Sequence, residues 1–213
     1  MQVLNKWFVI LLAASFMWTS AMAQKTGPSV KDTQFPANYQ LNSRDAGYVE
    51  DFSGDFPPAM WQNVIVAGDD QWEQFEGTDY YAAEYGGFSG DDDAAEMISP
   101  RFDLTASDSD MLSFIYVNEE WFGDQNVLEV YLSTNGGTDW TLLETYDYDT
   151  GDTFESVEID LEGYDQTDNA HIKFKGINYF GYAIQVTDVQ MPVLYYQAPV
   201  NVAASPASSS SLN

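Results

Sequence analysis

The sequence predicts an all-β fold, a jelly-roll β-sandwich of two antiparallel sheets. Three observations carry this expectation. Short runs of alternating apolar and polar residues fill the stretch from Tyr48 to Met191. Gly, Asp, Asn and Pro break those runs at regular intervals, and helical periodicity is missing almost everywhere. Many short strands with frequent turns and no helices build a two-layer sandwich or jelly roll.

The first strands are predicted at Tyr48–Phe52, Trp61–Val66, Gln71–Phe75, Tyr80–Glu84 and Met97–Ser99. Met111–Val117 (MLSFIYV) is nearly continuously apolar, which predicts a central strand covered on both faces. From Asn126 to Thr134, Leu128, Val130 and Leu132 share one face, with Glu129 and Tyr131 on the other. Asn135-Gly136-Gly137 then predicts a hairpin turn, and the chain returns over Trp140–Tyr146. Phe154–Leu161 places Val157, Ile159 and Leu161 on one side. Ala170–Asn178 places Ile172 and Phe174 inward and Lys173 and Lys175 outward, and Ala183–Met191 is the last strand. In that strand Ile184 and Val186 share one parity and Val189 and Met191 the other. The alternation slips at Thr187-Asp188, which predicts a bulge.

The 213 residues suffice for one domain with tails. Seven Lys+Arg against 34 Asp+Glu give a net charge of −27. Such a surface repels nucleic acid and anionic lipid and suits divalent cations, saline surroundings or plain solubility. There is no cysteine, which removes disulfides, thiol catalysis and Cys-based zinc sites.

The amino terminus reads as a signal peptide over residues 1–23: Lys6, the apolar run Trp7–Phe16, and the small-x-small site Ala21-Met22-Ala23, with Gln24 the first mature residue. An uncleaved amino-terminal anchor is the competing reading. No later segment is long and apolar enough to predict a membrane span, and no Cys follows the apolar run to carry a lipid. Residues 24–47 read as a polar leader, 48–196 as the sandwich, and 197–213 as a Ser/Ala/Pro tail. This tail is either a linker or, since Ala198-Pro199-x-Asn201-Val202 resembles the opening strand of a fibronectin type III domain, the start of a further carboxy-terminal module.

Two aromatic segments are candidate ligand-binding sites. Asn118-Glu119-Glu120-Trp121-Phe122-Gly123-Asp124 lies between two strong strands, and Asn178-Tyr179-Phe180-Gly181-Tyr182 is similar. Trp121, Phe122, Tyr179 and Phe180 suit stacking on a glycan or anchoring an extracellular protein; the alternative is that they fold back onto the sandwich edge. Asp69-Asp70 and Asp91-Asp92-Asp93 lack the spacing of a calcium loop and read as solvated. Ser133-x-Asn135-x-Gly137-x-Asp139-Trp140 resembles an Asp-box hairpin in a single copy, read as a tight turn with Trp140 packed beneath it. His171 is the one histidine, and no hydrolase motif accompanies it.

Residues 48–191 resemble the choice-of-anchor J and cleaved-adhesin family of bacterial secreted proteins, itself similar to MAM-type jelly rolls. The segments that carry the resemblance are Val49-Glu50-Asp51-Phe52 with Phe56-Pro57-Pro58-Ala59-Met60-Trp61, Ser99-Pro100-Arg101-Phe102-Asp103-Leu104, Leu112-Ser113-Phe114-x-Tyr116, Val130–Gly137 with Trp140, and Tyr182–Met191. Ser53 and Thr187 stand where the family commonly has acids. The resemblance implies a jelly roll in an exported, multidomain, cell-surface protein. In such folds the first and last strands run side by side, which would bring Asp188 to Glu50 and Asp51. Proteins similar to this family bind structural Ca²⁺ near there, so these three carboxylates are the expected metal ligands; the competing reading is an exposed edge with solvated acids. The function expected is a secreted, non-catalytic binding or adhesion module. The alternatives are an accessory or catalytic domain of a carbohydrate-active enzyme or secreted protease, marked by two acids in an aromatic-walled groove, and a plain spacer.

Overall fold

The computed structural model describes residues 47–86, 90–105, 110–192 and 194. The segments expected to be a signal peptide (1–23), a polar leader (24–47, but for residue 47) and a tail (197–213) lie outside the described residues. Eleven strands follow in chain order: β1 (Tyr48–Glu50), β2 (Gln62–Ala67), β3 (Glu73–Glu76), β4 (Tyr81–Tyr85), β5 (Ala94–Ile98), β6 (Met111–Val117), β7 (Val127–Ser133), β8 (Thr141–Tyr146), β9 (Glu155–Asp160), β10 (His171–Ile177) and β11 (Ile184–Met191). One sheet runs β3-β4-β11-β6-β9 with β1 also on β11; the other runs β2-β5-β10-β7-β8. All pairings are antiparallel. Every strand expected from the sequence is present. The main boundary difference is β5, which begins at Ala94 because Ala94 and Ala95, though small, pair with Ile177 and Gly176 of β10.

The predicted faces hold. Leu128, Val130, Leu132, Ile172 and Phe174 are buried between the sheets with Leu112, Phe114 and Tyr116 of β6. Rings interlock across the layers: Phe114 meets Phe174 edge-on at 5.1 Å and Tyr146 at 6.0 Å. Trp72 is wholly buried, and its Nε1 donates to the Ala95 carbonyl at 3.0 Å, tying the β2–β3 loop to β5. The carboxy-terminal half of β6 is covered on both faces, because Ile115 and Val117 join Tyr80, Ala82 and Phe154 in a second, smaller cluster. The first half of β6 is less fully covered: Met111 and Ser113 are only half-buried.

The slip in β11 is a bulge. Its register against β6 shifts between Thr187 and Gln190, and Asp188 takes a φ of 50°. The bulge divides β11 into an upper part that pairs with β4 and a lower part that pairs with β1. At the β7–β8 turn Gly136 and Gly137 adopt φ of 73° and 82°, the left-handed region where a Cβ is strained. Ser133 Oγ accepts from the Gly137 amide, and Asn135 and Asp139 are bonded to each other.

The outward direction expected of Lys173 and Lys175 holds, and their cover is an additional finding. Lys173 points outward, yet only 7% of it is exposed. Its ammonium sits 4.6 Å from the Tyr131 ring centroid, 4.5 Å from Trp140 and 2.8 Å from Glu96 Oε1. Lys175 pairs with Glu129 at 2.9 Å. The outer face of the five-stranded sheet is thus a paired ionic layer rather than a row of solvated lysines. Since Phe174 lies in the dry interface between the two sheets, Phe174→Ala should cost about 3–5 kcal/mol, measured by urea denaturation.

Candidate binding site

Successive strands run in opposite directions, so the connections β2–β3, β4–β5, β6–β7, β8–β9 and β10–β11, each of which crosses from one sheet to the other, all emerge at one end of the sandwich. Hydrogen bonds join four of them into a rim. The Asp92 amide donates to the Asn178 carbonyl and the Asn178 amide to the Asp93 carbonyl; the Tyr182 amide donates to the Glu119 carbonyl; the Thr150 amide donates to the Asn118 carbonyl.

Three buried asparagines organise this rim, each wholly out of solvent. Asn126 Oδ1 accepts from the Tyr179 amide at 2.8 Å and the Gly181 amide at 3.0 Å, and its Nδ2 donates to the Tyr182 carbonyl at 2.6 Å. Asn118 Nδ2 donates to the Asn126 and Tyr146 carbonyls. Asn178 Nδ2 donates to the Gly90 carbonyl. A short amide side chain that both donates and accepts can replace ladder partners where strands end, which is why Asn occupies these positions. The asparagines are visible in the sequence, but nothing local marks them as buried.

The two predicted aromatic segments meet on this rim. Trp121 folds back edge-on against Tyr182 at 4.8 Å, and Phe122 contacts Trp121 at 4.7 Å. Phe122 itself is 88% exposed, and Tyr179 is exposed on the β10–β11 connection, which the Tyr182–Glu119 hydrogen bond joins to that of Phe122. Phe180, at φ 64°, is half-buried. Tyr148, on the β8–β9 loop, is a further exposed ring that the sequence reading did not single out. Among the described residues the exposed aromatic side chains are Phe122, Tyr148 and Tyr179, and all three stand on this rim. Around them the five connections carry Asp69, Asp70, Asp91, Asp92, Asp93, Glu119, Glu120, Asp124, Asp147, Asp149 and Asp152, with no Lys or Arg. Burial and nearby Asp92 together raise the Tyr179 hydroxyl above its ordinary value.

The proposed metal ligands gather on the six-stranded sheet, where β1 gives way to β4. Glu50 lies opposite Val189, next to the bulge. Its carboxylate accepts from the Tyr48 hydroxyl and from the Phe52 amide at 2.9 Å. Asp51 Oδ1 accepts from the Ser53 amide and hydroxyl at 3.0 and 2.7 Å. Asp188 is 7% exposed, and the neighbouring Thr187 hydroxyl donates to the Asp51 carbonyl. The strand pairing brings the three residues to one place. Among the described residues, however, no group of three His, Cys, Asp or Glu side chains is set to hold a metal ion.

A further acid stands out. Glu84 on β4 lies directly opposite Glu73 on β3 and beside Gln185 on β11. Burial pushes its carboxyl up to about 7; the Gln185 amide, donating at 2.8 Å, opposes this, while Glu73 and Asp70 add to it. Glu129 is the reverse case: burial raises it, but hydrogen bonds from Lys175 and Tyr131 outweigh that and hold it below the ordinary range. His171 is taken up structurally, its Nδ1 lying 3.0 Å from the Ser99 carbonyl.

No protein-family model matches the chain, and no curated protein matches it. Solved structures do match. The K1 cleaved adhesin domain of Lys-gingipain from Porphyromonas gingivalis W83 aligns at TM-score 0.55 and 14% identity, over 70% of this chain and 98% of that one. The K3 cleaved adhesin domain of the same protein aligns at 0.51 and 14% identity, over 67% and 95%. A mannan-recognising carbohydrate-binding module, TmCBM27, aligns at 0.47 and 13% identity, over 70% and 96%. The likeness to the adhesin domains is one of fold: this chain has an adhesin-like jelly-roll fold.

Two outcomes follow from this geometry. Asn126→Ala should lower stability by about 2–3 kcal/mol, read from the urea midpoint, because two amides and a carbonyl lose their partner. Glu84 binds its proton more tightly folded than unfolded, so its contribution is fully present below about pH 4.5 and fades as the pH rises through about 7. Glu84→Gln should therefore stabilise the protein at pH 8 by about 1–3 kcal/mol and flatten the melting temperature between pH 5 and 8.

Proposed function

We propose that the chain is an exported, non-catalytic binding module whose ligand face is the aromatic rim, and that its ligand is an extracellular glycan without anionic groups. One observation carries this reading: Phe122, Tyr148 and Tyr179 stand exposed together on loops fixed to the sandwich by buried asparagines. Aromatic faces stack on the apolar C–H faces of sugar rings, and surrounding carboxylates accept hydrogen bonds from hydroxyls. Eleven acids with no cation repel sulfated and uronic-acid glycans. On a glycan array, neutral and amino sugars should bind and sulfated ones should not. Phe122→Ala should weaken that binding about ten-fold, or ~1–2 kcal/mol, with an unchanged melting temperature. An array without signal, beside capture of an extracellular protein that Phe122→Ala abolishes, would favour the protein-ligand reading.

The non-catalytic assignment rests on the acids. Glu129 and Glu96 are tied to lysines, and Glu84 is held by Gln185. Polysaccharide hydrolysis by the purified chain, lost in Glu84→Gln, would overturn it. Export is proposed from Lys6, Trp7–Phe16 and Ala21-Met22-Ala23; a secreted protein beginning at Gln24 is the expected result.

We also propose structural Ca²⁺ at Asp188, Glu50 and Asp51, supported by burial of the Asp188 carboxylate at the β1–β11 junction. Binding there would cross-link the two strands and draw Glu50 and Asp51 from Tyr48, Phe52 and Ser53. CaCl₂ should raise the melting temperature and EDTA lower it; a melt indifferent to both removes the proposal.

A further inference from the structure

The sheets differ sharply in charge. The strands of the six-stranded sheet carry Glu50, Glu73, Glu76, Glu84, Glu155, Glu158, Asp160 and Asp188 and no Lys or Arg, a net of −8. The strands of the five-stranded sheet carry Glu96, Glu129 and Glu144 against Lys173 and Lys175, a net of −1. On a chain of net −27, the second sheet is the nearly neutral side.

Its edge strand β2 is the exception among the edges. Sheet edges present unpaired backbone groups, and proteins guard them with charged side chains. Here β1 carries Glu50, β3 carries Glu73 and Glu76, β8 carries Glu144, and β9 carries Glu155, Glu158 and Asp160. β2, with sequence QNVIVA, carries no charge. Val64, Ile65 and Val66 are 39%, 46% and 52% exposed, and among the described residues β5 is its only strand partner. The register shift at Ile65/Ala67 comes late, leaving Gln62–Ile65 in regular pairing with β5. The one acid on adjacent β5 is Glu96, already neutralised by Lys173 at 2.8 Å.

We propose that β2 is a self-association edge: it pairs antiparallel with β2 of a second copy of this chain, joining two five-stranded sheets into one continuous ten-stranded sheet. Charge selects that occupant. Two copies of a strongly acidic chain repel on nearly every approach, and the β2–β5 margin lets them meet with no carboxylate set against another. A two-fold axis perpendicular to the sheet places same-face residues opposite each other, so the Val64–Val66 stretch meets its own apolar counterpart. Six residues of strand pairing bury less than the ~1,200–2,000 Å² of a stable complex, so the dimer is reversible and concentration-dependent. It leaves both rims open and sets them at opposite ends of the joined sheet, facing away from each other.

The test is sedimentation velocity of the exported chain over a concentration series. The weight-average mass should climb toward twice the monomer value, and added NaCl should strengthen association by screening the net repulsion. Val64→Glu should abolish association with an unchanged melting temperature. Leu142→Glu, at a similarly exposed position on β8 at the far edge of the same sheet, should leave association intact. A wild-type chain monomeric at every concentration overturns the proposal, as does equal loss of association in both variants. A monomer whose melting temperature falls on Val64→Glu would mean that another segment of the chain covers the edge, which overturns it too.

Discussion

The fold stands on one dry contact, the inner face of β6 and β11 against the inner face of β7 and β10. No disulfide supports it, since the chain has no cysteine. Phe114, Tyr116, Phe174 and Tyr146 fill the gap with rings meeting at tilted or edge-on angles. Aromatic pairs so arranged add to the large apolar area they remove from water. Every loop position depends on this contact, because both sheets must be locked together before connections from one layer to the other have a defined span.

The rim is the structural result of that locking. Strand ends leave backbone amides and carbonyls without ladder partners, and buried ones must be satisfied. Asn118, Asn126 and Asn178 do this between loops rather than within one, so neighbouring connections are coupled. A ring as exposed as Phe122 would otherwise sample many positions. With Trp121 packed on Tyr182 and the loops held at Asn126, it projects from a fixed base, and ordering entropy is largely spent before any ligand arrives.

Much of this was legible in the sequence, because a two-residue period reports directly on a sheet with one dry face. Leu128, Val130 and Leu132, and the parity slip between Val186 and Val189, are of that kind. The slip placed the bulge at Thr187-Asp188, and the structure has it there. The aromatic segments around Trp121 and Tyr179 were legible as candidates, but their meeting was not, since 53 residues separate Asn126 from Tyr179. The burial of Lys173 was not legible for a similar reason. Alternation gave its direction correctly, but not the cover supplied by Trp140, Tyr131 and Glu96, which come from other strands and turns. The raised carboxyl of Glu84 likewise arises first from its burial and then from facing Glu73 across a pairing that no local pattern declares.

Charge is distributed with the same logic. Acids dominate the loops and the six-stranded sheet, while the described Lys and Arg side chains are each spent on an ion pair, Arg101 with Asp168, Lys173 with Glu96 and Lys175 with Glu129. A rim that is acidic, aromatic and pre-shaped is the centre of this account. Hydrogen–deuterium exchange of the ligand-free protein tests it most directly. The Tyr179, Gly181 and Tyr182 amides should exchange as slowly as amides in the edge strands, because their acceptors Asn126 Oδ1 and the Glu119 carbonyl are fixed to the sandwich. Exchange of those three at the rate of unstructured peptide would contradict a pre-shaped rim and the role given to it.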